Sequence, residues 1–519
     1  MSQLAEQPHS ASSPEFVKGL GLTSATTLVM GSMIGSGVFI VAADIARVVD
    51  SPALLIAAWL ITGFMTIAAA LSYGELAAMM PHAGGQYVYL REALGPLWGF
   101  LYGWTLFLVI QCGTIAAVGV AFGKFLGIFF PTISSSNWIL HLWKVPAFHL
   151  GPMVLGNMEV GLNTQNLVAV VIILLLSVIN IFGVKTGAIV QVAFTTAKVL
   201  SLVGLVLLGA WAGSTSEALA ANFGANFWRN AGLGSLHKIP MGVSGATALV
   251  STNTVLAVAQ VGSLFSADAW NNVTFTAGEV RNPKRNLPLS LAIGTGSVIL
   301  LYIAVNFIYL LVLPLWGDPY AMTSVGRGIQ YASEDRVATA VMQQIMGQTG
   351  AQLMAAAILI STFGCANGMI LAGSRVYYAM AKDGLFFKSV GQLHPRFKTP
   401  HISLAVQALW TVVLCLSGSY GQLLDYIIFA VLLFYVLTLV GLFVLRRTRP
   451  DAERPYRAVG YPWLPIAYIV MAIFIDIVLL IYKPQYTWPG LFIVLLGLPV
   501  YWIWSRRTGQ KPLAEKTAR

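Results

Sequence analysis

Two stretches of this sequence hold residues that a continuous apolar helix would avoid. The first, Gly31-Ser-Met-Ile-Gly35-Ser36-Gly37-Val-Phe39, has three glycines in seven residues. Each weakens a helix by roughly 1 kcal/mol relative to Ala. If the helix unwinds here, Ser36 and Gly37 open a new half-helix. Their N–H groups, at the positive end of its dipole, suit a carboxylate. Gly31 and Gly35 could instead form a GxxxG face for close helix packing. The second stretch, Gly262-Ser-Leu-Phe265-Ser266-Ala267-Asp268-Ala269-Trp270-Asn271-Asn272, sets a glycine, two serines and an acid deep in an apolar segment. A third feature is Lys198, well inside the apolar run 188–212. An uncompensated Lys at a helix centre costs roughly 2.5–3.5 kcal/mol or more in a membrane, and this position is too central to snorkel. A structural Lys198 would cap carbonyls freed by the first break.

These residues need apolar helices to hold them, and the composition supplies such helices. Of 519 residues, 57% are hydrophobic and only 9% charged. Soluble domains average about 25% charged residues, so the chain reads as an integral membrane protein. Apolar runs long enough to cross a hydrocarbon core of about 30 Å fall near 21–48, 52–79, 98–130, 165–183, 188–212, 248–276, 287–315, 337–380, 402–418, 422–445, 462–482 and 487–505. The fold class is therefore an all-α polytopic membrane protein of about twelve transmembrane helices. Continuous hydrophobicity excludes an outer-membrane barrel, whose strands alternate every second residue.

The net charge of +11 is distributed by topology. With both termini cytoplasmic, the inner connections hold Arg281, Lys284 and Arg285, then Lys382, Lys388, Arg396 and Lys398, then Arg446, Arg447, Arg449, Arg454 and Arg457. The outer connections hold few, among them Arg327 and Arg336, as the positive-inside rule requires. Basic residues are not interleaved with aromatics, so no nucleic-acid partner is expected; the lipid bilayer is the surrounding phase. Residues 80–92, between spans two and three, are amphipathic and expected along the inner interface. No removable signal peptide is apparent. Cys112, Cys365 and Cys415 sit inside apolar runs, so no disulfide-linked accessory subunit is expected.

The first span opens one block of five helices and the sixth opens another. Paired interruptions at corresponding positions of two halves point to the midplane substrate site of an inverted-repeat transporter, which favours a binding role for the first glycine stretch over simple packing.

Several motifs then fall in order on these spans. Gly31-Ser-Met-Ile-Gly-Ser-Gly-Val-Phe, Ser72-Tyr-Gly-Glu-Leu-Ala, Pro81-His-Ala-Gly-Gly-Gln-Tyr, Trp270-Asn-Asn-Val-Thr-Phe and Glu279-Val-Arg-Asn-Pro-Lys-Arg-Asn-Leu-Pro resemble the amino acid–polyamine–organocation (APC) superfamily. They look most like its L-type amino-acid transporter branch. The resemblance runs from about residue 17 to 450. It implies a five-plus-five inverted repeat with discontinuous helices 1 and 6: a first repeat at 17–212, a second at 213–450 beginning with an outer loop at 213–246, and two additional helices at 451–507. Cytoplasmic tails would occupy 1–16 and 508–519.

The resemblance also implies an α-amino-acid substrate. By carry-over, Ile34, Gly35, Ser36 and Gly37 grip its carboxylate. Main-chain carbonyls near Met33, Phe265 and Asp268 take its ammonium, and Phe265 gates the site. A lysine at position 198 occupies the place where sodium-coupled relatives of the fold bind Na⁺, with Thr362 facing it. Asn271 lies along the pocket wall by resemblance, although an interior Asn more often joins helices.

Asp268 departs from the L-type pattern, which carries glycine or another small residue at this point of the break. Either it caps the second half of helix six, or its carboxylate faces the cavity and attracts a substrate ammonium. Glu75 and Glu279 are expected to pair with Arg91, Arg281 or Arg375 at the cytoplasmic gate. Asp425 and Tyr426 lie near the outer start of span ten, and no role is assigned to Asp476.

Gly31, Gly35 and Gly37 lack the spacing of a dinucleotide fingerprint, and no phosphate-binding loop sequence is present. The His and Cys residues form no ligand-spaced cluster, so no metal and no cofactor are expected; no convergent set of catalytic groups suggests an enzyme. The sequence thus points to a sodium-independent secondary carrier of L-amino acids in a bacterial inner membrane, working by alternating access as an exchanger. Competing readings are a proton-coupled or cationic amino-acid/polyamine permease and, from another class, a sensor that binds an amino acid without moving it.

Overall fold

A computed structural model describes residues 16–146, 148–150, 153–155, 158–241, 246–417 and 420–507. The two tails, apart from residue 16, and the side chains of Asp425 and Tyr426 lie outside the described residues. The first span is two helices, α1 (Leu22–Met33) and α2 (Gly37–Val49), and Pro52 starts α3 (Pro52–Met79). The amphipathic segment forms α4 (Gln86–Leu94). The third span runs through α5 (Pro96–Thr105), a π-helical segment at Leu106–Ile110 and α6 (Gln111–Leu126). Spans four and five are α7 (Thr164–Ile181) and α8 (Val184–Ala212), followed by the short helix α9 (Ser216–Asn222). The sixth span is divided into α10 (Thr252–Ser266) and the single turn α11 (Asn272–Phe275).

The remaining helices are α12 (Pro283–Val312), α13 (Ser324–Arg327), α14 (Val337–Lys382), α15 (His401–Ser417), α16 (Tyr420–Thr448), α17 (Trp463–Tyr482) and α18 (Pro484–Arg507). Ten helical segments among the described residues are long and apolar enough to cross a membrane. The shorter apolar helix α15 and the divided sixth span are not among these ten. The protein is a polytopic helical membrane protein.

The sequence did not foreshadow strands. Antiparallel hairpins pair β1 (Trp138–Val145) with β4 (Met158–Asn163), β2 (Phe148–Leu150) with β3 (Met153–Leu155), and β5 (Leu236–Met241) with β6 (Ala246–Ser251). They occupy the two long connections expected outside, where backbone that leaves the helix must satisfy its polar groups by pairing. Local chemistry sets several helix starts. The Asn163 side chain accepts from Asn166 N at 2.7 Å to cap α7, and Thr215 accepts from Ala218 N at 3.0 Å to cap α9. Gly347, with φ of +63°, bends α14 near its N-terminal end.

Helices α1 and α2 sit in the middle of the molecule. Helix α1 packs on α8, α12 and α14, and α2 lies against α10. Buried polar bonds fix the neighbours: Thr62 donates to Gln260 Oε1, and Gln111 Nε2 donates to Met369 O at 2.8 Å. Each satisfies an atom that lipid could not.

Candidate functional site

Between α1 and α2 the chain leaves helical geometry at Ile34, whose ψ is +83°. A helix interrupted in this way strands carbonyls, and side chains from three neighbouring helices bond each one from Gly31 to Gly35. Lys198 Nζ, on α8, donates to Gly31 O at 2.6 Å and Ile34 O at 2.8 Å, and lies 3.3 Å from Ser361 O. Cys365 Sγ donates to Ser32 O at 3.0 Å, and the Tyr302 hydroxyl to Met33 O at 3.0 Å. Ser361 Oγ lies 3.0 Å from both Ile34 O and Gly35 O. Lys198 is wholly buried, and its compensation is this set of carbonyls.

Thr362, expected to face Lys198, turns its hydroxyl to Ile358 O and Leu359 O of its own helix; its neighbour Ser361 makes the contact. The Met33 carbonyl expected for an ammonium is held by Tyr302.

On the other side of the break, Ser36 precedes α2 without a side-chain capping bond. The first amides of α2 lack intrahelical acceptors, as at any helix start, and carry its positive dipole end. Gly37 is needed for a close approach, because a Cβ there would lie 2.8 Å from the backbone Cα of Ser266. The two interrupted spans therefore touch, Gly37 against the last residue of α10. Phe265, the expected gate, is buried one residue earlier.

The second break covers residues 267–271, and Ala269 takes a positive φ of +64°. The Asp268 carboxylate accepts the Tyr435 hydroxyl of α16 at 2.6 Å. Capping is not its role here, since the residue preceding α11 is Asn271, and no side-chain cap bond is made. Asn271 Nδ2 donates to Gln86 Oε1 at 2.9 Å, and Gln86 Nε2 reaches Thr438 Oγ1 at 3.1 Å. Trp270 packs against Tyr73 and Tyr435, with ring centroids 4.8 and 5.2 Å away.

Asp268 lines two small cavities. One, with about 330 Å³ unfilled by atoms, is bordered by Gln86, Tyr102, Gln111, Thr114, Asp268 and Asn271 among others. Leu106 and Ile110, the ends of the π-helical segment, also border it; such segments recur at functional sites. The other, about 290 Å³, lies past Tyr435 and includes Thr66, Trp270 and Tyr468. Residues 33–37 border neither cavity, so the first break is packed against its neighbours in this conformation.

The face of the bundle expected to lie inside is tied by ion pairs. Glu279 meets Arg375 at 2.9 Å with both side chains 1% exposed. Glu75 does not join Arg91, Arg281 or Arg375. Its partners are Arg446 at 2.6 Å and Arg454 at 3.3 Å, with Ala458 N donating at 2.7 Å. The connection after α16 folds back over α3, a path the sequence did not reveal. Arg91 pairs with Asp383 and with Glu92, which also holds Arg449 at 2.9 Å. Burial raises the Glu92 pKa, but its bonds to Arg449 and Arg91 outweigh this and leave it below the usual carboxylate value. The Gly19 and Leu20 amides donate to Glu279 O at 3.0 Å, closing the chain before α1 onto the end of the sixth span.

Sequence reasoning missed Tyr302, Ser361, Cys365, Gln86, Gln111 and Tyr435. Their polarity inside apolar runs was a visible signal, most clearly in Val109-Ile-Gln111-Cys112. Which break each one serves was not.

A family model described as amino acid permease matches residues 20–503. The serine/threonine exchanger SteT of Bacillus subtilis is 29% identical over 492 residues, 94% of this chain and 97% of the relative. The b(0,+)-type amino acid transporter 1 of Mus musculus is 27% identical, covering 94% of this chain and 88% of the relative. The human large neutral amino acids transporter small subunit 2 is 28% identical, covering 94% and 80%.

Proposed function

The chain belongs to the amino acid permease family, and on that premise we propose that it exchanges L-amino acids across a bacterial inner membrane without sodium. In this reading both termini are cytoplasmic, and residues 17–212 and 213–450 are inverted repeats that rock against each other. The substrate carboxylate meets the Ser36 and Gly37 amides, and its ammonium meets the second break beside Asp268. Relatives named as exchangers and transporters of amino acids support the substrate class.

The observation that carries the sodium-free reading is Lys198. Its ammonium sits among the carbonyls of Gly31, Ile34 and Ser361, the kind of oxygen set that would otherwise hold a monovalent cation. A fixed positive charge there makes a second cation unfavourable by direct repulsion. The test is uptake of labelled L-serine into preloaded proteoliposomes, with sodium replaced by choline. Equal exchange in both media is expected, and a steep sodium requirement would overturn the proposal. Measuring flux as well as binding separates a carrier from a sensor.

The Asp268–Tyr435 pair favours a second reading, in which the carboxylate selects basic amino acids or carries a proton. Asp268→Asn should then lose basic substrates or acid stimulation while neutral exchange persists. An unchanged substrate panel and pH profile would leave the pair a structural role.

A further inference from the structure

On the face opposite the Arg446–Arg457 connection, the chain joining α12 to α14 borders an open pocket of about 880 Å³. Arg327, Ser333, Arg336, Thr339 and Gln343 are among the residues that line it. Nothing in the transport reading uses these groups. The pocket is separate from the cavities at Asp268, with which it shares no residue.

Two of its buried donors are unspent, and a third group, the Arg327 guanidinium, meets no carboxylate among the described residues. Thr339 is 7% exposed, and its hydroxyl is buried without a hydrogen-bond partner. Arg336 Nε is likewise buried without one, although Nη2 of the same guanidinium donates to Lys124 O at 2.6 Å and meets Glu334 at 2.8 Å. Arg327 uses Nε on Ala321 O at 2.7 Å and pairs with no carboxylate among the described residues. Orphaned buried donors of this kind usually mark a missing partner.

Charge points the same way. Arg336 meets the Glu334 carboxylate at 2.8 Å, and the neighbouring Asp335 is taken by Arg47 at 2.7 Å. Arg336 also immediately precedes α14, so the positive end of that long helix opens at the pocket. Two of the groups that line the pocket are guanidiniums, whose planar geometry matches a carboxylate. The pocket is wide enough for a molecule of amino-acid size.

We propose that this pocket is a second ligand site, binding a small monoanion through the Arg327 guanidinium, Arg336 Nε and the Thr339 hydroxyl. The anion has two sources, the carboxylate of an amino acid or a free inorganic ion. The assignment stands on these donors and not on transport, so it is tested by binding.

The experiment uses the purified full chain in detergent and follows thermal stability against sodium acetate and against sodium chloride. Wild type is compared with Arg327→Gln and with the near-isosteric Thr339→Val, because both variants share its general response to ionic strength. Saturable stabilisation of wild type is expected, with the half-saturating concentration about 10–100-fold higher in each variant, as for the loss of a hydrogen bond to a charged group. Stabilisation by acetate with chloride inert assigns a carboxylate ligand. Stabilisation by chloride with acetate inert assigns the inorganic ion. Identical titrations of wild type and both variants would overturn the site.

Discussion

Replacing Lys198 separates the stability of the first break from its working geometry. The Gly35 amide, which a continuous helix would aim at Gly31 O, donates to Met33 O instead. Gly31 O is therefore left to Lys198 at 2.6 Å. Ile34 O keeps the Ser361 hydroxyl at 3.0 Å when the ammonium is removed. Lys198→Met thus strands one carbonyl fully, at a cost of about 1–3 kcal/mol. Against this, the substitution relieves the desolvation of a buried ammonium, several kcal/mol in most proteins. The two terms largely offset, and Lys198→Met is expected to stay within about 2 kcal/mol of wild-type stability. Transport should not be spared. The lysine ties α8 to both sides of residues 32–33, and misplacing a binding group by about 1 Å can cost about 100-fold in rate.

The assay is counterflow of labelled L-serine in proteoliposomes, run beside thermal unfolding and size-exclusion profiles of the same preparations. A folded Lys198→Met protein exchanging within about threefold of wild type would refute the reasoning. It would show that Ser361, Cys365 and Tyr302 hold the break without help.

Other outcomes follow from the same geometry. Arg375→Met strands the buried Glu279 carboxylate and should cost about 3–5 kcal/mol in detergent unfolding, whereas Glu279→Gln with Arg375→Met should recover most of it; equal losses in single and double variants would deny the pairing. Gly37→Ala should abolish exchange with expression retained, because its Cβ would meet the Ser266 backbone, while Gly204→Ala, with nothing within 4 Å, should be silent. Detection of wild-type rates in Gly37→Ala liposomes would show that the two breaks are not in close contact. For pH, the Glu92 carboxyl is held below its ordinary value by Arg449 and Arg91 against the pull of burial. Its contribution is then complete above the unfolded pKa of about 4.3 and is lost as pH falls through the lower folded value. Thermal stability scanned from pH 6 to pH 3 (about the range that brackets a carboxylate) should fall more steeply in wild type than in Glu92→Gln, and parallel curves would count against the cluster.

Much of this was legible in the sequence, for a physical reason. Lipid offers no hydrogen bonds, so a spanning chain must declare itself by continuous apolar runs, and any departure inside one stands out. The glycines at 31, 35 and 37, Asp268 and Lys198 were visible as such departures. What the sequence could not determine was pairing across the bundle, which depends on helix rotation and on where connections travel. Glu75 has several arginines within reach of a linear reading, and only the fold-back of residues 446–458 selects Arg446 and Arg454. Thr362 and Ser361 are adjacent in sequence, yet a helix turns successive residues by about 100°, so one bonds its own helix while the other meets the broken span. Asp268 could equally cap a helix or face a cavity, and its bond to the Tyr435 hydroxyl at 2.6 Å depends on the rotation of α16, which a linear reading does not give. The sequence by itself determined that there are breaks, and roughly where. Only the tertiary structure decided which side chains fill them, because those partners lie 100 or more residues away and meet through packing alone.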